Sequence, residues 1–230
     1  MSERLVDRVS PNVGAPVVLL PVGSTEQHGP HLPLDTDTVV AEAVATALAK
    51  RAGATGIDVV VAPPIAYGSS GEHEAFPGTV SIGREALEHV LVEYGRSVCG
   101  WAARLVLVNG HGGNVEALAS VVSRLVAEGR DVTWIPCEHD GGGDAHAGRT
   151  ETSLMLHLAP DRVRLDASVP GNRADLATLM PELRRGGVAA VAPNGVLGDP
   201  SGASAEEGAR LLEGMVERAW RRWSPTRQAT

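Results

Sequence analysis

The sequence predicts an α/β fold with a mostly parallel central sheet flanked by helices, and three observations lead there. Four short runs, VVLLPV at 17–22, DVVVA at 58–62, RLVLV at 104–108 and VTWI at 132–135, are apolar almost throughout. Continuous hydrophobicity of this kind marks strands buried on both faces. A segment of helical periodicity follows each run, and strands that alternate with helices build parallel sheets. Clusters of Gly, Pro, Asn and Ser punctuate the chain between these segments.

The elements follow in order. After the first run, residues 38–51 repeat Val40, Val44, Ala47 and Leu48 at helical spacing, with Asp35 or Thr36 to cap the start and Gly53 to end it. A longer helix at 84–101 places Leu87, Val90, Leu91, Tyr94 and Val98 on one stripe. Helices are expected at 115–128, after Gly-His-Gly-Gly, and at 151–158, after a Gly-rich loop. The stretch 159–200 is rich in Pro, Gly and Asp and predicts only a short strand at 188–191. The terminal helix, 205–223, ends in Arg221 and Arg222, cations that suit a helix C-terminus. No repeat or low-complexity linker divides residues 1–230, which read as one domain.

Composition narrows the function classes. The 230 residues are 43% hydrophobic and 21% charged, with a formal net charge of −8. That balance argues against non-specific binding to nucleic acid or anionic lipid, both of which need positive charge. The longest apolar run, 15–22, has 8 residues and contains Pro16 and Pro21, against the ~20 that a membrane helix needs. The opening MSERLVDRVS has no apolar signal region, and Cys99 and Cys137 cannot form a disulfide framework. The expectation is a cytoplasmic protein, neither exported nor membrane-spanning.

Residues with metal-ligand chemistry gather after the strands. Glu26, His28 and Asp37 follow the first, His111 the third, and His146 and Glu151 the fourth. In a parallel α/β sheet the strand C-termini share one edge and ligands bind in the crevice there, so segments a hundred residues apart can meet at one pocket. An extended Glu26-Gln27-His28 would turn Glu26 and His28 to the same side and Gln27 away. Imidazole with carboxylate suits Zn²⁺, Fe²⁺ or Mn²⁺. One or two such ions could lower the pKa of water and polarise an amide carbonyl, which makes hydrolysis of a C–N bond the natural reaction.

GSTEQHGPHLPLDTD at 23–37, VNGHGGN at 108–114 and DAHAGRTETS at 144–153 resemble the three signature segments of the creatininase family of metal-dependent amidohydrolases. AYGSSGEHEAFPGT, RRGGVAAV and GVLGDP extend the likeness over almost the whole chain, which is most similar to the branch of the family that serves mycofactocin biosynthesis. The resemblance implies a creatininase-like three-layer fold, a homo-oligomer and two divalent metal ions, Zn²⁺ and Fe²⁺ with Mn²⁺ as an alternative. Glu26, Asp37 and His111 would hold one ion, and Asp37 would bridge to a second held by His28 and a further carboxylate. In creatininase that carboxylate lies two residues after the histidine, where this chain has Gly113; Glu151 is the candidate replacement, or else a catalytic group beside the metals. His146 matches a family histidine near the leaving group, a proton donor. Gly112 stands where creatininase has a tyrosine, so creatinine is not the expected substrate. That branch acts on a ribosomally made precursor peptide whose C-terminal Val-Tyr has been oxidatively decarboxylated and cross-linked, and it cuts the bond before the pair to release a pyrrolidinone. The alternative enzyme reading keeps the metals and takes a small cyclic amide or formamide.

Plainer roles compete at several positions. Ser24, Asp35 and Thr36 read as caps or turn residues, and Thr-Glu-Thr-Ser around Glu151 also has the look of a helix start. His31 and His73 are structural loop residues or contacts around the site in equal measure, while His89 and His157 fall within helices and His139 has no assigned role. The Gly-rich stretches 68–78 and 141–143 are lids or plain connections. Trp220 and Trp223 with Arg218, Arg221 and Arg222 cover the core or meet a partner subunit. A phosphate- or dinucleotide-binding module is the contrasting class, but no G-x-G-x-x-G or P-loop spacing occurs.

Overall fold

A computed structural model of the chain describes residues 4–139 and 144–223, so the glycines at 141–143 lie outside the described residues. Four strands, β1 (Val17–Val22), β2 (Val59–Val61), β3 (Arg104–Asn109) and β4 (Val132–Pro136), form one sheet in the order β2-β1-β3-β4. Every pairing is parallel, with Val17 opposite Val59 and Arg104, and Leu105 opposite Val132.

Side chains alternate across a strand, so the sheet has two apolar faces and needs a cover on each. Val17, Leu19, Val106 and Val108 face α1 (Thr36–Gly53), α4 (Arg149–Leu158) and α6 (Ala205–Trp223). Val18, Leu20, Leu105 and Leu107 face α2 (Gly83–Val98) and α3 (Val115–Ala127). The result is the expected three layers. Fully buried Leu19, Leu20, Leu105 and Leu107 each contribute about 1.5–3 kcal/mol of transfer free energy relative to exposure. Met215, Ala219 and Trp223 of α6 repeat every fourth residue and close the first face, with Trp220 packed edge-on to Trp223 and beneath Arg51. Among the described residues, no helix is long and apolar enough to cross a membrane.

Three expectations are corrected here. Residues 188–191 are not a strand; they end α5 (Leu176–Val191), a helix broken at Gly187, where φ is 69°. Val188 is apolar because it packs with Leu179, Ala192 and Leu197 in a small separate cluster, and a short apolar run does not by itself tell strand from helix. Val90 is 44% exposed, so the buried stripe of α2 runs through Leu87, Leu91, Gly95 and Val98 instead. Asp35 occupies the N-cap position of α1 without a capping bond, since its carboxylate accepts a hydrogen bond from Arg162 at 2.6 Å.

Between β1 and β3 the winding of the sheet reverses direction, because β2 lies beyond β1 and β4 beyond β3. Such a switch point leaves a crevice at the strand C-termini. The N-terminus of α1 fits tightly into it. A Cβ at Gly110, just past β3, would overlap the main-chain oxygen of Asp37, so glycine there lets Asp37 reach the crevice.

Candidate metal centre

Glu26 and His28 leave β1, His111 leaves β3, and Asp37 and Glu151 lie in the first turns of α1 and α4. A helix N-terminus carries partial positive charge, which favours both carboxylates where they stand. Glu26 and His28 are fully buried, while Asp37 and His111 are 3% and 6% exposed.

The donor atoms converge as two overlapping sets. In the first, His111 Nδ1 lies 3.3 Å from Glu26 Oε2 and 3.2 Å from Asp37 Oδ2. In the second, His28 Nε2 lies 3.2 Å from Asp37 Oδ1 and 3.9 Å from Glu151 Oε2. Asp37 belongs to both. A third grouping joins Glu26 and His28 to His146, whose Nδ1 is 3.8 Å from Glu26 Oε1. Atoms bonded to one ion at about 2.1 Å with tetrahedral angles stand roughly 3.4 Å apart, so these separations match ligands around a shared cation.

Two further observations test that fit. Both carboxylate oxygens of Glu26 and Oδ2 of Asp37 are buried without a hydrogen-bond partner, a costly state unless a cation faces them. Each histidine also has its second nitrogen at a main-chain carbonyl: His28 Nδ1 is 3.2 Å from Glu26 O, and His111 Nε2 is 3.2 Å from Ser69 O. Donation of that N–H leaves the other ring nitrogen free to ligate, the usual arrangement of metal-binding histidine. The residues fit a pair of divalent ions.

The electrostatics agree. Burial pushes the Glu26 carboxyl up to about 8, and the Asp37 charge adds to the rise. Burial also opposes ionisation of Asp37, yet His28 and His111 outweigh it and hold Asp37 well below the usual carboxylate range. Burial would lower His28, but the Asp37, Glu151 and Glu26 charges raise it to about 10. His111 is raised in the same way, against burial, by Glu26, Asp37 and Glu72. The cluster therefore holds protons tightly among its own groups, and a cation entering it replaces them.

Loop chemistry secures the frame. Asn109 Nδ2 donates to His111 O at 2.7 Å, and Asn114 Nδ2 donates to Gly23 O at 3.0 Å, which ties the β3 loop to the β1 loop. Ala147 has φ 51°, an uncommon value for a residue with a Cβ, and its N–H donates to Glu151 Oε2 at 2.6 Å.

Two residues outside the expected ligand set stand in the site. His73, from the loop after β2, lies 3.2 Å from Glu26 Oε1. Burial lowers it to about 4. Glu72 Oε1 lies 3.5 Å from His111 Nε2. Glu72 also crowds Gly113: a Cβ there would come 2.8 Å from Glu72 Oε1 and overlap His111 and Ser69, so residue 113 has no room for a carboxylate. The signal that could have singled out both was their place at the C-terminal edge, one loop among four. Of the other histidines, His31 bonds Thr152 at 2.9 Å, whereas His89 and His157 are exposed on their helices.

A cavity of about 480 Å³ opens over the cluster. Asp37, His111, His146 and Glu151 form its floor, and Leu176, Met180, Leu183 and Arg184 of α5 form its wall. The break at Gly187 swings α5 into that position, with Gly187 seated against Glu72 O. A smaller cavity of about 240 Å³, lined in part by Cys137, Glu138 and Met215, also reaches Asp37 and Glu151.

Comparison with known proteins gives the following. The sequence profile of creatininase, described as creatinine amidohydrolase, matches residues 8–222. The mycofactocin precursor peptide peptidase of Mycolicibacterium smegmatis is 60% identical over 216 residues, which cover 92% of this chain and 87% of that protein. The creatinine amidohydrolase of Pseudomonas putida is 32% identical over 190 residues, 66% of this chain and 68% of that protein. Among solved structures, a tryptophan-to-phenylalanine mutant of creatininase superposes with a TM-score of 0.77 at 28% identity, covering 98% of this chain and all of that one.

Proposed function

This chain belongs to the creatininase family, and we propose that it is the metal-dependent peptidase of mycofactocin biosynthesis, hydrolysing the peptide bond before the modified C-terminal Val-Tyr of the precursor peptide. One observation carries the chemistry: two donor sets, buried but for the partly exposed Glu151, share Asp37 at the floor of a cavity large enough for the end of a peptide. High identity to the peptidase of M. smegmatis supports the choice of substrate.

Glu26, Asp37 and His111 would hold one ion, and His28, Asp37 and Glu151 would hold the other. Zinc and iron are the proposed pair, because imidazole-carboxylate sets suit both. Ions bound there would supply an activated water and polarise the scissile carbonyl. His146 handles the proton. Its Nε2 is 2.8 Å from Gln27 O, which leaves Nδ1 at the cavity floor to take a proton from the water and return it to the departing amine. Burial and the neighbouring His28 and His73 hold His146 well below its ordinary pKa, so its ring rests neutral. Leu176, Met180 and Leu183 shelter the floor from water and receive the apolar end group. Self-association into a homo-oligomer is part of the same reading.

The test combines elemental analysis of freshly purified protein with mass spectrometry of the modified peptide. Two metal equivalents and release of the pyrrolidinone fragment are expected, with chelation abolishing release. An intact peptide in the presence of fully loaded protein would overturn the assignment. Turnover of a small cyclic amide or formamide instead would restore the alternative.

A further inference from the structure

Gln27 lies between two metal-binding residues, and its side chain does not turn away from the site as an extended strand would have it. It is 6% exposed, and its amide reaches four of the surrounding groups. Oε1 accepts the Gly29 N–H at 2.9 Å, and Nε2 donates to Gly195 O at 3.1 Å. These two main-chain partners decide which end of the amide is oxygen and which nitrogen. A Cβ at Gly195 would overlap the Gln27 carboxamide, so the amide is enclosed as well as bonded.

The second N–H of that nitrogen points to His73 Nδ1 at 2.9 Å. His73 Nδ1 must then be the acceptor, and in a neutral imidazole the proton resides on Nε2. That nitrogen stands 3.2 Å from Glu26 Oε1, near it but not aligned as a hydrogen bond, so Glu26 Oε1 keeps no hydrogen-bond partner. The main chain of the same residue orders the other ring. Gln27 O lies 2.8 Å from His146 Nε2 and can only accept, so Nε2 carries the proton and Nδ1 the lone pair. The 3.0 Å contact between Gln27 Nε2 and His146 Nε2 is then a meeting of two donors, held in place by the stronger bonds around it.

We propose that Gln27 is a positioning residue that sets the tautomers of both His73 and His146, presenting an N–H to the Glu26 carboxylate and a lone pair to the reacting water. The role assigned to His146 rests on the peptidase reading; the tautomers themselves do not. Through His73, Gln27 sets whether a proton or a lone pair stands 3.2 Å from a carboxylate of the donor sets, one shell further out, where a lost partner costs about 10–100-fold in metal affinity or activity.

Nitrogen-15 spectroscopy of histidine-labelled, zinc-loaded protein tests this without substrate, the rings being assigned with His73→Asn and His146→Asn. Protonated Nε2 and bare Nδ1 are expected in both residues. Gln27→Glu keeps the Gly29 bond but places an oxygen opposite His73 Nδ1, so the His73 proton should move to Nδ1. Zinc affinity and kcat should then fall about 10–100-fold with KM little changed. In a His73→Gln background, where an amide N–H can face Glu26 whatever stands at 27, the same change should cost much less. A parent spectrum with the proton on Nδ1 of either ring would overturn the proposal, whether or not the variants fold. So would Gln27→Glu with unaltered tautomers. If the parent shows the expected tautomers but leaves the peptide uncut, the substrate assignment fails and the role of Gln27 stands.

Discussion

His28 Nε2 lies 3.2 Å from Asp37 Oδ1, with neither side chain more than 4% exposed. One residue comes from the loop after β1 and the other from the first turn of α1, so the contact joins the two elements that frame the crevice. Asp37 turns its second oxygen to His111 at 3.2 Å, which makes this carboxylate the hinge between the donor sets.

Asp37→Asn should therefore disturb both ions at once. The amide keeps the shape and loses the charge. Elemental analysis should find at least one metal equivalent missing, and peptide hydrolysis should drop by more than about 100-fold, the upper range for a partner one shell further out.

Glu151 takes part in one donor set only. Glu151→Gln retains an oxygen for the Ala147 N–H, so the start of α4 should hold. The variant should lose one metal equivalent and keep the other. Full occupancy with lost turnover would make Glu151 a catalytic group beside the metals.

The α5 wall should control substrate binding without touching the ions. Met180 and Leu183 line the cavity and belong to none of the donor sets. Leu183→Ser should lower kcat/KM on the modified peptide by about 10–200-fold, the range for lost apolar contact in a pocket. The loss should appear mainly as a raised KM, with metal content unchanged.

Away from the site, Arg8 and Asp58 tie the segment before β1 to the segment before β2 through contacts of 2.5 and 3.0 Å. The Arg8 hydrogen bond holds the Asp58 carboxyl below its ordinary value. A carboxyl lowered by folding adds stability above its unfolded pKa, and that stability is lost as pH falls through the folded value. Asp58→Asn should cost no more than about 1 kcal/mol near neutral pH, since the pair is partly solvated. In urea melts the deficit should vanish in strong acid and shrink in high salt.

Much of this molecule was legible in one dimension. The four strands have continuous apolar runs because both sheet faces are covered, and α1, α2, α3, α4 and α6 show helical spacing because each presents one face to that sheet. Glu26, His28, Asp37, His111, His146 and Glu151 stood out because parallel topology sends every post-strand loop to one edge. Helix α5 did not. Its signal was masked by Pro181 and by the glycines at its break, and its buried residues pack on a local cluster rather than on the sheet. In the sequence Glu72 is unmarked, His73 reads equally as a structural loop residue or a contact around the site, and Gln27 is expected to turn away. Their roles arise from distances between loops of different strands, such as the 2.9 Å from Gln27 to His73. Local pattern therefore determined the elements and the edge on which the chemistry collects, because burial imposes a period on neighbouring residues. Which side chains touch, which nitrogen holds the proton and how the wall closes were decided only when strands distant in sequence paired, because contacts between loops leave no period behind.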